Sequence, residues 1–138
     1  MSRIIRFAAP MLLAVIASSG ALASADIKTG ADLVASCKAS LEGDRSPQGE
    51  ISATACNQFL SGMVVAVYNS TEAGMPTALH RLGPKQDETV CFRLPELLKY
   101  QDFAALVVAY DKAHPGLAER PAAELAGHSL ADKYPCKD

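Results

Sequence analysis

Four cysteines, Cys37, Cys56, Cys91 and Cys136, constrain this chain more than any other feature. They follow a stretch, Met1–Ala25, that reads as a removable export signal. Arg3 and Arg6 supply a positive start, and Phe7–Ala17 is an apolar run too short to span a bilayer. Ala23-Ser24-Ala25 then offers the small residues a signal peptidase recognises, with cleavage after Ala23 as the second choice. An even number of cysteines delivered to an oxidising compartment pairs into disulfides and does not persist as reactive thiols.

The spacing of the cysteines narrows the chemistry further. No Cys-x-x-Cys occurs, so neither a thioredoxin-like redox motif nor a zinc knuckle fits. Three pairings are open to four cysteines, and Cys37–Cys56 with Cys91–Cys136 is the favoured one. The first would staple two helices that a tight loop makes antiparallel. The second would tie the entry of a third helix to the returning chain end. In the loop-entropy picture the two closures are worth about 3 and about 4 kcal/mol. Together they rival the net stability of many whole domains.

Cleavage after Ala25 leaves residues 26–138, a length suited to one domain with a modest core. Loss of Arg3 and Arg6 moves the formal net charge from −2 to −4. A weakly acidic chain with no basic run is a poor match for nucleic acid or for anionic lipid. No second apolar stretch is expected to cross a membrane, since Met63–Tyr68 is only of core size.

Hydrophobic periodicity points to an all-α domain, a small orthogonal bundle of four to five helices closed by two disulfides. Leu33, Val34, Cys37 and Leu41 recur at helical spacing, which predicts a helix from Ala31 to about Ser40. The segment from Glu42 to Glu50 is dense in turn residues and reads as a loop. A second helix, capped by Ser52 or Thr54, is predicted to run to about Ser70 on a stripe of Cys56, Phe59, Leu60, Met63, Val64 and Val67. No period holds through Thr71–Val90, where Gly74, Pro76, Gly83 and Pro84 interrupt the pattern. Glu96–Lys99 is read as a turn of helix. A third helix, Tyr100–Ala113, presents Phe103, Leu106, Val107 and Tyr110 on one face and stops at His114-Pro115-Gly116. Pro121 opens a fourth helix with Ala122, Leu125, Ala126, Ser129 and Leu130 on its inner side.

No catalytic centre emerges, and the chain reads as a non-enzyme. Gly127-His128-Ser129-Leu130-Ala131 has the outline of a nucleophile elbow, but Ser129 lies inside a helical pattern and Ala131 stands where the second glycine belongs. His80, His114 and His128 form no pair at i, i+3 or i+4, so no metal site is expected and no cofactor is implied. Asn69-Ser70-Thr71 matches a glycosylation acceptor, which matters only in a glycosylating pathway. The best surface for recognition is the long connection before Cys91. There Met75, Leu79 and Leu82 are apolar, with Glu72, His80, Arg81 and Lys85 around them.

Several short stretches resemble one known family. Cys91-Phe92-Arg93-Leu94-Pro95 is similar to its Cys-x-x-Pro entry, and Leu106-Val107-Val108-Ala109-Tyr110 followed by His114-Pro115 to its Val-Val-x-x-Tyr…His-Pro helix end. Ala122-Ala123…Leu125…Ser129-Leu130…Tyr134-Pro135-Cys136 follows its Ala-Ala-x-Leu…Ala-Leu…Phe-Pro-Cys ending. Leu33…Cys37 and Cys56…Leu60-x-Gly62 fit its first two helices. This is the type VI secretion amidase immunity (Tai) family. The resemblance implies a helical, disulfide-bonded periplasmic protein, often a homodimer, that binds a secreted cell-wall amidase and blocks its cleft. A second expectation, of another class, is a periplasmic acid-stress or chaperone-like binding protein on a similar scaffold.

Overall fold

The computed structural model describes residues 25–72, 79–82 and 88–136. The expected leader lies outside the described residues except for Ala25. The first helix, α1 (Gly30–Glu42), begins where Thr29 and Asp32 satisfy each other's backbone. Asp32 N–H donates to Thr29 Oγ1 at 3.2 Å and Thr29 N–H donates to Asp32 Oδ2 at 2.9 Å. This capping box satisfies donors that a helix start otherwise leaves unpaired. The N–H of Thr29, then that of Lys28, holds the Asp32 carboxyl below the usual carboxylate range. Gly43 ends α1 in the left-handed region, φ 66°, which glycine adopts without steric cost.

Helix α2 (Pro47–Glu72) is 26 residues long and starts inside the segment expected to be loop. Ser46, and not Ser52 or Thr54, caps it. Gly49 N–H donates to Ser46 Oγ at 3.0 Å, and Pro47 takes the first helical position, where a missing N–H costs nothing. Ser46 N–H in turn donates to Asp44 Oδ1 at 2.9 Å and lowers the pKa of that carboxyl.

A two-stranded antiparallel hairpin follows, β1 (Leu79–Leu82) and β2 (Glu88–Cys91), in the register Leu79↔Cys91, His80↔Val90, Arg81↔Thr89 and Leu82↔Glu88. The connection expected to be irregular therefore contains paired strands. Beyond it the chain does not form the helical turn expected at Glu96–Lys99. It remains non-helical until α3 (Tyr100–Ala113), whose bounds are those read from the sequence. A short 3₁₀ turn at Pro115–Leu117 leads to α4 (Ala122–Lys133), with Pro121 at its cap.

The four helices form one all-α bundle in which α1 packs against α2, α3 and α4. Its core takes Leu33, Val34 and Cys37 from α1, Cys56, Leu60 and Val67 from α2, Phe103, Ala104 and Val107 from α3, and Ala122, Leu125, Ala126 and Leu130 from α4. Each large side chain removed from water here contributes about 1.5–3 kcal/mol. Every expected inner residue of α4 is buried. On α3, Leu106 is only half-buried and Ala104 takes the inner place. Leu41 keeps the helical spacing of α1 but sits at its exposed end.

Both favoured disulfides are present, with Cα–Cα distances of 5.1 Å for Cys37–Cys56 and 5.5 Å for Cys91–Cys136. The start of the domain is fastened to the start of α4. Gly30 N–H donates to Arg120 O and Ala31 N–H to Ala118 O, both at 2.8 Å, and Ala122 N–H donates to Lys28 O at 2.9 Å. Gly30 is required at this junction, because an added Cβ would lie 2.5 Å from Leu117 O. Glu124, fully buried in the first turn of α4, is paired with Arg120 Nε one turn earlier in the chain.

Candidate partner-binding surface

The residues expected to meet a partner fall on three kinds of position. Glu72 is the last residue of α2, and Leu79, His80, Arg81 and Leu82 make up β1. Met75 and Lys85 lie outside the described residues. The backbone thus brings four of the seven onto a single strand and places a fifth at the helix end leading towards it.

That hairpin is tied to the bundle at its base. β2 ends at Cys91, which is bonded to Cys136, and the next residue, Phe92, is wholly buried and forms a bridge with Pro135. Arg93 N–H donates to Tyr134 O at 3.0 Å, and Cys136 N–H reaches Cys91 O at 3.4 Å. Val90 is buried in the core, and α4 packs against both strands. A lone two-stranded hairpin is marginal in water. Here the disulfide, the buried Phe92 and the packing on α4 supply what the strands lack.

A second surface was missed by the sequence reading. Tyr100 Oη donates to Ser61 Oγ at 3.3 Å, which lays the start of α3 along the middle of α2. Val65 and Tyr68 follow Ser61 by four and seven residues and so lie on the same side of α2. They are 52% and 47% exposed, and Tyr100 is 41% exposed. Gly62 adds open space, since a Cβ there would meet nothing within 4 Å. Tyrosine with small apolar neighbours is common at recognition surfaces. The signal was legible: Val64-Val65-Ala66-Val67-Tyr68 is apolar on every face of the helix, more than one core stripe needs.

The same property corrects the expectation about membrane-length segments. Pro47–Ser70 of α2, with mean hydropathy 1.2, is long and apolar enough by length and composition to cross a membrane, and 17% of its window is buried in the bundle. Ile51, Cys56, Phe59, Leu60 and the run Met63–Val67, with alanines between them, make it apolar although its longest uninterrupted run is only of core size. It nevertheless supplies Cys56, Leu60 and Val67 to the core and is bonded to α1.

The outline of a nucleophile elbow comes to nothing chemically. Ser129 is 2% exposed within α4 and donates its hydroxyl to Ala126 O at 2.8 Å. Tyr110 stacks on His114 with ring centroids 4.0 Å apart and lies parallel to His128 at 6.3 Å. These rings pack α3 against α4. Among the described residues no group of three or more His, Cys, Asp or Glu side chains could hold a metal ion.

A family model described as Rap1a immunity proteins matches residues 29–136, which is nearly all of the described domain. The chain belongs to the Rap1a immunity protein family. The matched region begins at the Thr29 cap and ends at Cys136, so it includes both disulfides of this Rap1a member. The immunity class agrees with the class expected from the sequence, and it implies a protein effector as partner. No curated protein and no solved structure matches the chain.

Proposed function

We propose that this protein is a periplasmic immunity protein of the Tai kind, released from its leader after Ala25. In this reading it binds a secreted peptidoglycan amidase and occludes the catalytic cleft. The observation that carries the reading is the immunity-family match over residues 29–136, on a bundle clamped by two disulfides as an oxidising compartment permits. The proposed contact surface is the strand Leu79–Leu82 together with Glu72 at the end of α2, and Met75 and Lys85 from the connecting segments on either side of the strand. Inhibition then needs no chemistry from this chain. A pre-stiffened hairpin fills the space a muropeptide would enter, and its cross-linked base lowers the ordering cost of association.

The test is inhibition of muropeptide cleavage by purified, oxidised protein mixed with each secreted amidase encoded in the same genome. Stoichiometric loss of cleavage by one of them is expected. Full activity of every amidase at excess protein would overturn the reading.

A further inference from the structure

A cleft of about 480 Å³ lies between the non-helical segment 93–95 and the end of α4 with the residues that follow it, and is lined by Arg93, Leu94, Pro95, Lys133, Tyr134 and Pro135. The chain carries 15 acidic residues against 13 basic ones, yet among the described residues no acidic side chain lines this cleft and two cationic ones do. Arg93 and Lys133 are exposed, while Leu94, Pro95 and Tyr134 are half-buried beneath them. Among the described residues neither cation has a carboxylate partner within salt-bridge distance. Lys133 stands in the last turn of α4, where a cation favours the negative helix end. Arg93 has no such duty.

The walls are fixed before anything binds. One consists of residues 93–95 and the other of residues 133–135. The Cys91–Cys136 disulfide, the Phe92–Pro135 bridge and the Arg93 N–H to Tyr134 O bond hold them together at one end. Two prolines stiffen the lining further, because their φ angles are locked. A cleft of this size with an apolar floor and few polar groups suits a ligand of one to three residues. Its cations ask for a carboxylate, which an arginine fork grips with two parallel hydrogen bonds.

We propose that this cleft is the docking slot for a short acidic segment of the protein partner, an Asp or Glu flanked by an apolar side chain. The carboxylate would bridge Arg93 and Lys133, and the apolar neighbour would rest on Pro95 and Tyr134. The slot adjoins the base of the hairpin, so one partner can occupy both. The assignment of the occupant rests on the immunity reading; the chemistry of the slot does not.

The experiment therefore begins without the partner. Oxidised, isotope-labelled protein is titrated with acetyl-Leu-Asp-Leu-amide and with its Asn counterpart while backbone amide resonances are followed. Saturable shifts at Arg93, Leu94 and Tyr134 are expected, with the Asp peptide bound about fivefold more tightly or better. Arg93→Gln should remove that preference, and Arg93→Lys should retain part of it. Equal binding of the two peptides, or shifts centred elsewhere, would overturn the slot. Tighter binding of a free muropeptide than of either peptide would overturn the protein-segment assignment. With an amidase that the protein inhibits, Arg93→Gln with Lys133→Gln should weaken the complex roughly tenfold. Unchanged inhibition would overturn the proposal while leaving the immunity reading intact. Peptide binding without inhibition of any amidase would sink that reading and spare the slot.

Discussion

Removing the Cys91–Cys136 bridge should expose how much of the hairpin's order is borrowed. The bridge spans a sequence separation of 45 residues, and losing that closure frees denatured-state entropy worth about 4 kcal/mol. The buried Phe92 and the packing of α4 on both strands remain without the bridge, but no other covalent link closes the chain there. Arg93 N–H to Tyr134 O and Cys136 N–H to Cys91 O each contribute about 1 kcal/mol at a partly exposed edge. Substituting both cysteines by alanine should therefore lower the unfolding free energy by about 3–4 kcal/mol. For a domain of this size that is a fall in Tm of about 15 °C. The assay is calorimetry of the oxidised protein and the double variant, paired with amide exchange. Exchange should accelerate first at Arg93 and Cys136, well before the α1 and α3 amides. A Tm drop below about 3 °C would refute the argument, because the denatured chain would then gain almost nothing from release. Equal acceleration throughout the bundle would refute its local part.

Two glycines should respond oppositely to alanine. Gly30→Ala drives a methyl against Leu117 O and Leu125 Cδ2 and should cost about 1–3 kcal/mol in chemical denaturation, whereas Gly62→Ala meets open space in a helix interior and should stabilise by up to about 1 kcal/mol. Arg120→Ala leaves the buried Glu124 carboxylate without its guanidinium and should cost about 3 kcal/mol, while Lys28→Ala, whose partner Asp26 is equally exposed, should change the denaturation midpoint hardly at all. Asp32 has its folded pKa depressed by the capping N–H groups, so its stabilisation is complete above the ordinary value of 3.8 and is lost as pH falls through the lower folded value. Wild type should therefore outlast Asp32→Asn in urea near neutrality, and the gap should narrow as the solution is acidified below about pH 4; a constant gap would contradict this.

The parts of this fold that were legible from sequence are those governed by a single period. α3 has one apolar face and hard punctuation at His114-Pro115, and its bounds agree with the reading. α4 has a small-residue inner side, and all five expected residues are buried. The disulfide pairing followed from chain closure. The start of α2 was hidden because Ser46-Pro47 reads equally as a turn or as a cap followed by the first helical residue. Only the Gly49 N–H to Ser46 Oγ bond decides between them. The hairpin was hidden for a different reason. Leu79-His80-Arg81-Leu82 has no strict alternation, and its partner strand gains its order from Cys91 and Phe92, which lie against α4 and the chain end. The exposure of Val65, Tyr68 and Tyr100 does not follow from one core stripe, because periodicity marks which face is buried and says nothing of apolar residues in surplus of it.

The clasp between residues 28–31 and 118–122 carries a consequence for biogenesis. In the exported form proposed above, translocation would thread the polypeptide through a pore from its front end, yet residues 28–31 find their backbone partners only at residues 118–122. On that reading the clasp could not shut until nearly all of the domain had emerged, which would keep the travelling chain pliable enough to pass through and leave oxidation to seal it after arrival.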